Sequence, residues 1–145
     1  MAIKLRQAKE SDVEFLIGLR NQTMTSYLQD VGMPTSKEAF EARVRHAFEH
    51  AQIVEEDGRP IGLFKVEFTP ENNHWFLVQI QIDPKYQGRN IGRRLIENLI
   101  ETAQTTKATI GLGVIKTNPA QRLYTRLGFR VVGESQQEYL MQLTT

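Results

Sequence analysis

The chain has 145 residues, 40% of them hydrophobic and 24% charged, and its 18 Lys and Arg against 17 Asp and Glu leave a formal charge of +1. These values describe a globular chain that buries one core in a single domain, 1–145, and they exclude a disordered or collagen-like polymer. Near-neutrality removes any long-range pull on nucleic acid or anionic lipid, and the absence of cysteine removes disulfides, thiolate metal ligands and a cysteine nucleophile.

No stretch approaches the roughly 18 apolar residues of a membrane span, and residues 1–6 lack the apolar core of a secretory signal. The expectation is a cytoplasmic protein with no membrane partner.

Ile3 and Leu5 alternate in a short strand that reaches Gln7 and Ala8, and Ser11 stands as the cap of a helix carrying Val13, Phe15, Leu16 and Leu19 at helical spacing. Gly32 and Pro34 break the period across 27–34, after which Thr35 or Ser36 caps a second helix with Phe40, Val44, Ala47 and Phe48. Extended runs at 52–55, 61–68 and 75–82, divided by turns at Asp57-Gly58 and 69–73, predict an antiparallel meander. A loop at 87–92 opens a helix with Leu95, Ile96, Leu99, Ile100 and Ala103 on one face, and 109–115 returns as a strand. Asn118 caps a last helix that starts at Pro119 and stops at Gly128; 129–132 and 139–143 are the closing strands, the second offering an edge to another copy. The order β-α-α-β-β-β-α-β-α-β-β predicts an α+β fold, a mixed sheet with helices on its faces, rather than a doubly wound parallel one.

Chemistry concentrates where the apolar strand ends. Between Ile82 and Leu95 a loop with Gly88 and Gly92 presents a helix N-terminus, whose first N–H groups lack internal partners and sit at the positive end of the dipole. Lys85, Arg89, Arg93 and Arg94 against Asp83 make this an anion site. The loop lacks the Gly-Lys-Ser/Thr end of a P-loop and the three spaced glycines of a dinucleotide fingerprint. Stacking aromatics other than Tyr86 are missing, which argues against a nucleic-acid surface.

Gln87-Gly88-Arg89-Asn90-Ile91-Gly92 resembles the Gln/Arg-x-x-Gly-x-Gly/Ala signature of the GNAT superfamily of N-acyltransferases, with Asn90 in place of the middle glycine. Asparagine tolerates left-handed backbone angles better than most residues. Asn118-Pro119-Ala120-Gln121-Arg122-Leu123-Tyr124 through Gly128-Phe129 resembles that family's second block, shifted at the alanine. The resemblance implies a central mixed, mostly antiparallel sheet of six to seven strands flanked by about four helices, with a splayed parallel strand pair. It implies an acetyl-CoA-dependent N-acetyltransferase that uses no metal and moves an acetyl group to a primary amine of a small molecule or peptide.

Residue by residue, it implies that Gln87, Gly88, Arg89, Asn90, Ile91, Gly92 and Arg93 cradle the pyrophosphate of coenzyme A, and that Asn118 bonds the pantetheine or the pyrophosphate. The pantetheine arm enters between 80–82 and 110–114, where a backbone N–H near Ile80 or Gln81, next to Ile82, polarises the thioester. Tyr124 is the general acid for the departing thiolate. A carboxylate expected on the strand 76–81 is replaced by Gln79 and Gln81, so Glu67, with His74 as second choice, stands in as base. The acceptor is expected against 21–35, the second helix and the joins near Asn72 and Ser135, with Trp75, Phe68 and Tyr27 lining its pocket. His46 and His50 have the spacing of a zinc pair without a third ligand and read as an exposed helix face. A competing reading, suggested by the missing carboxylate and by Asn90, is a non-catalytic acyl-CoA-binding regulatory domain. Either a monomer or a homodimer is compatible with the sequence.

Overall fold

The computed structural model describes residues 3–145, and its elements follow the predicted order. Strand β1 (Ile3–Gln7) leads through a 3-10 turn into helices α1 (Val13–Asp30) and α2 (Lys37–Arg45). The meander is β2 (Ala51–Glu56), β3 (Arg59–Thr69) and β4 (His74–Ile82). Then come α3 (Ile91–Gln104), β5 (Thr109–Ile115), α4 (Gln121–Arg126), β6 (Arg130–Glu134) and β7 (Glu138–Thr144). These seven strands form one sheet in the order β1-β2-β3-β4-β5-β7-β6, antiparallel throughout except between β4 and β5. The fold is the expected α+β class.

The feature that positions the site is a split in the sheet. β4 and β5 pair from His74 opposite Thr109 to Leu77 opposite Leu112, and beyond that point their pairing stops. Immediately after Leu77 the β3–β4 register shifts, so that Val66 faces Leu77 but Lys65 faces Gln79, leaving Val78 as an extra residue. A bulge of this kind bends its strand and adds local twist, which turns the end of β4 away from β5.

Each sheet face is covered. Leu95, Ile96, Leu99 and Ala103 of α3 are buried with Phe64, Ile82, Ile110 and Phe129, and the predicted apolar face of that helix is the one that packs. On the other face Leu16, Leu19 and Leu28 of α1 and Phe40 and Val44 of α2 cover Ile53, Leu63 and Ile115.

Several expected boundaries move. Ser11 lies inside the 3-10 turn rather than capping α1. The carboxylate of Asp12 organises this corner instead, accepting from Lys9 N–H at 2.7 Å and from both terminal nitrogens of Arg6 at 2.8 and 2.9 Å. Helix α1 continues through Tyr27 to Asp30, and of the two candidate caps Ser36 serves, its Oγ accepting from Ala39 N–H at 3.1 Å. Helix α2 ends at Arg45 because His46 turns extended and Ala47 is left-handed (φ 51°), so His46 and His50 do not share one helix face. The last helix starts at Gln121, not Pro119, because Asn118 Oδ1 accepts from Ala120 N–H at 2.9 Å in a turn ahead of it. The outer strand on this side is β6, not β7, which lies between β5 and β6.

Arg6 holds the Asp12 carboxyl below its usual range through its hydrogen bonds, with the Lys9 N–H assisting. A depressed carboxylate adds stability at neutral pH that is lost as pH falls through its folded value. Asp12→Asn is therefore expected to cost about 2 kcal/mol in urea unfolding at neutral pH and to flatten the acid side of the stability curve. Equal acid dependence in both proteins would contradict this.

Candidate functional site

Between β4 and α3 the chain makes a loop held from within. Asp83 accepts from Lys85 N–H at 2.9 Å, and Gln87 Nε2 donates to the carbonyl of Ile82 at 2.9 Å, tying the loop to the end of β4. Gly88 (φ 81°) and Asn90 (φ 60°) are both left-handed. Gly88 adopts this freely, and Asn90 supplies at modest cost the turn for which a second glycine is the easier choice. The Asn90 carbonyl accepts the first helical bond, from Arg94 N–H at 3.0 Å, which leaves the N–H groups of Ile91, Gly92 and Arg93 without helical partners.

This N-terminus carries no acidic residue in its first turn and has Arg93 and Arg94 there instead. Cations at the positive end of a helix dipole are unfavourable until an anion joins them. A cavity of about 590 Å³ begins at this turn and is lined by 80–82, Gln87, Gly88, 90–93, Asn118 and Tyr124, with Thr23, Met24 and Tyr27 of α1 closing one side. Arg126 also faces it. Arg89 instead reaches Glu56 at 3.1 Å and lies over the ring of Tyr86, and Arg94 lines a separate hollow on α3.

The free N–H groups, the cationic first turn and the size of the cavity fit a pyrophosphate with its pantetheine arm. A Cβ on Gly92 would meet Ile80 and Ile82 at ordinary contact distances of 3.8 and 3.9 Å, so the fold itself does not demand glycine there. Gly92→Ala is accordingly expected to keep or raise thermal stability, by up to about 1 kcal/mol, while weakening coenzyme A binding about tenfold by crowding the phosphate cradle. Unchanged affinity in calorimetry would remove Gly92 from the cradle.

Across the split lies a second cavity of about 210 Å³. Met24, Ile80, Gln81, Asn118 and Tyr124 line both cavities, so the two meet where β4 leaves β5. Tyr124 is buried, packs edge-on against Phe129 with ring centroids 5.9 Å apart, and its phenol is pushed up to about 12 by desolvation. Gln79 and Gln81 are buried in the gap; neither polar atom of the Gln79 amide has a partner, nor does Gln81 Oε1. Arg20 of α1, Arg43 of α2 and Glu138 of β7 complete the walls. Arg43 donates to the Val78 carbonyl at 3.0 Å, which satisfies the bulge. The Glu138 carboxylate lies over Gly113, where a Cβ would fall 2.7 Å from its Oε2, and Ser135 Oγ accepts from Glu138 N–H at 3.0 Å to fix the turn before it.

Residues 16–129 match the model of the Acetyltransferase (GNAT) family, well over half of the chain. The chain belongs to this family. A Bacillus subtilis (strain 168) protein, provisionally named a ribosomal protein bS18-alanine N-acetyltransferase, is 23% identical over 132 residues, covering 89% of this chain and 82% of its own. Among solved structures, an acetyltransferase from Thermus thermophilus superposes with a TM-score of 0.78 at 19% identity, covering 100% of this chain and 98% of its own. The PaiA N-acetyltransferase from Thermoplasma acidophilum, in complex with coenzyme A, superposes with a TM-score of 0.75 at 18% identity over 100% of both chains.

Within this GNAT fold, all the residues expected around the nucleotide except Arg89 line the larger cavity. The expected base does not reach the split. Glu67 pairs opposite Phe76 in the closed half of the sheet and lines neither cavity, and His74, packed over Gly111, bonds Thr109 Oγ1 through Nδ1 at 2.6 Å in the same half. Trp75 and Phe68 pack on each other there with tilted rings, centroids 4.7 Å apart, away from the pocket they were expected to line, whereas Tyr27 does face the larger cavity. Among the described residues no cluster of three or more His, Cys, Asp or Glu could hold a metal, and no helix is long and apolar enough to cross a membrane.

Arg20, Arg43, Arg126 and Glu138 escaped the sequence reading because each looks like an ordinary charge on an amphipathic element. One signal was available for Glu138: two glycines inside an apolar strand, Gly111 and Gly113, mark places where something else lies close against the sheet.

Proposed function

We propose that the protein transfers an acetyl group from acetyl-CoA to the primary amine of a small molecule or peptide by direct attack on the thioester. The observation that carries this reading is the meeting of the two cavities at Tyr124, in the split between β4 and β5. A cofactor held at the α3 N-terminus reaches the split from one side and an amine reaches it from the other. Beyond Leu77 the edge of β4 has no strand partner in β5, so its backbone N–H groups are available to the thioester oxygen. The amine nitrogen bonds to the acetyl carbon, the carbon–sulfur bond breaks, and the leaving sulfur takes a hydrogen bond from Tyr124 and its net proton from solvent. The amine's surplus proton passes to Glu138, the carboxylate that faces the gap where Glu67 does not, directly or through a water.

The coenzyme A complex of the Thermoplasma acidophilum relative supports the donor. The Bacillus subtilis relative, by its name, supports an amine at a protein N-terminus as one acceptor class. A regulatory acyl-CoA sensor is the competing reading, favoured by Gln79 and Gln81 standing where a carboxylate is expected. Calorimetric titration with acetyl-CoA, followed by a thiol-release screen of amino acids, polyamines, aminoglycosides and peptide N-termini, separates them. Binding with amine-dependent thiol release supports the transferase, binding without release across the panel supports the sensor, and no binding overturns both.

A further inference from the structure

The smaller cavity holds a charge arrangement that its own residues leave unresolved. Arg20 and Arg43 arrive from separate helices and face one hollow of about 210 Å³. Neither makes a salt bridge among the described residues, whereas the part-buried Arg6 and the exposed Arg89 each have a carboxylate, Asp12 and Glu55 for the first and Glu56 for the second. Arg43 spends one nitrogen on the Val78 carbonyl, and Arg20 lies over the ring of Phe40 at 5.4 Å with its Nε buried and unpartnered.

Burial pushes Arg20 down to about 10, with the charge of Arg43 adding to the fall and that of Glu138 opposing it. Arg43 is lowered by burial as well, again against Glu138. Two guanidinium groups desolvated within each other's field are costly unless an anion shares the space. Glu138 supplies one negative charge to the same cavity, and the unpartnered Gln79 amide offers it a donor nitrogen and an acceptor oxygen.

We infer that the acceptor is a small amine that also carries a carboxylate, an amino acid or close analogue, with its carboxylate on Arg20 and Arg43 and its amine toward Glu138. The inference rests on the acetyl-transfer reading given above and narrows it. A guanidinium fork matches a carboxylate in a bidentate way. An amino acid in its reactive form, amine neutral and carboxylate charged, opposes the net single positive charge of two arginines and one glutamate. The volume agrees, since about 210 Å³ is below the roughly 300 Å³ at which pockets for drug-sized ligands begin. An N-terminal peptide amine, by contrast, has an amide where the cavity offers two cations.

The test uses matched compounds on the full chain. Acetyl-CoA binding is measured first by calorimetry, for the wild type and for Arg20→Gln and Arg20→Lys. Thiol release is then followed with common amino acids, their amides, the corresponding decarboxylated amines, aminophosphonates and alanine-led peptides. In parallel, the arginine Nε–Hε NMR signals of the coenzyme A-bound protein are recorded as the same compounds are added. Amino acids are expected to release thiol and to shift the Arg20 signal, with amides and decarboxylated amines at least about tenfold poorer in kcat/KM. Arg20→Gln is expected to raise the amino-acid KM about tenfold or more, to leave the acetyl-CoA Kd unchanged and to erase the preference for acid over amide, with Arg20→Lys recovering part of it.

Equal or better turnover of amides, peptides or aminophosphonates overturns the inference, as does the absence of any Arg20 shift with carboxylate-bearing amines. If acetyl-CoA binds and carboxylates make no difference, this inference alone fails. If acetyl-CoA does not bind, the transferase reading fails with it.

Discussion

Tyr124→Phe is expected to lower kcat about a hundredfold while leaving acetyl-CoA affinity nearly unchanged. Phenylalanine keeps the buried ring and its edge contact with Phe129, so the substitution removes the hydroxyl and little else. Desolvation lifts the phenol to about 12, which keeps it protonated through the whole working range. The departing thiolate belongs to a thiol of pKa about 8.5, so complete transfer from the phenol runs uphill by about 3.5 pKa units, or about 5 kcal/mol. In the proposed transfer Tyr124 therefore acts chiefly by donating a hydrogen bond to the sulfur as charge builds on it, with solvent supplying the net proton. That places the effect at the low end of the range for general acids rather than the top. Wild-type kcat should show no alkaline fall attributable to this residue until pH approaches about 12. Steady-state rates with saturating acceptor test this, and a loss below about threefold would remove Tyr124 from the chemistry.

Lys65→Met is expected to destabilise the fold by about 3 kcal/mol. Lys65 is fully buried on β3, and its Nζ donates to the carbonyls of His46 at 2.6 Å, Val44 at 3.1 Å and Arg43 at 3.4 Å. These are carbonyls at the C-terminal end of α2, which have no helical partners and form the negative end of its dipole. Methionine fills the volume and leaves all three without this donor.

Burial, followed by the charges of Arg43 and Arg20, pulls the Lys65 ammonium down to about 8 from 10.5. The unfolded chain therefore holds this proton above the pH at which the folded one has lost it. Stability contributed by Lys65 consequently rises between about pH 8 and 10.5 and is reduced below that window. Urea unfolding of wild type and variant at several pH values across this window should show the rise in the first and its loss in the second. A cost under about 1 kcal/mol would mean that water or neighbouring donors already satisfy the end of α2. Because Arg43 sits in the last turn of α2 and lines the smaller cavity, the same variant is also expected to weaken binding at the proposed acceptor side.

What the sequence determined by itself is local. The Asp57-Gly58 turn, left-handed at both residues, the Ser36 cap, the buried face of α3 and strand β5 all follow from residues within a few positions of one another. Asn90 belongs with them, because a left-handed position next to a helix start is a property of that residue and its immediate turn. The larger cavity was legible for the same reason, since it opens at one loop, one helix N-terminus and the strand that leads into them.

The smaller cavity, the proposed acceptor side, was decided only by tertiary structure. Alternation alone places Gln79 and Gln81 on a common strand face but does not say whether that face meets water or the interior. The extra residue at Val78 settles the matter, because a one-residue shift exchanges the two faces of a strand and bends it away from β5. The split thus depends on pairing between β3 and β4 rather than on either sequence taken alone. Arg20, Arg43 and Glu138 lie on three elements that meet only once α1 and α2 cover the sheet and β7 inserts between β5 and β6. No periodicity links them, and long-range packing alone places two cations and one carboxylate around the same gap.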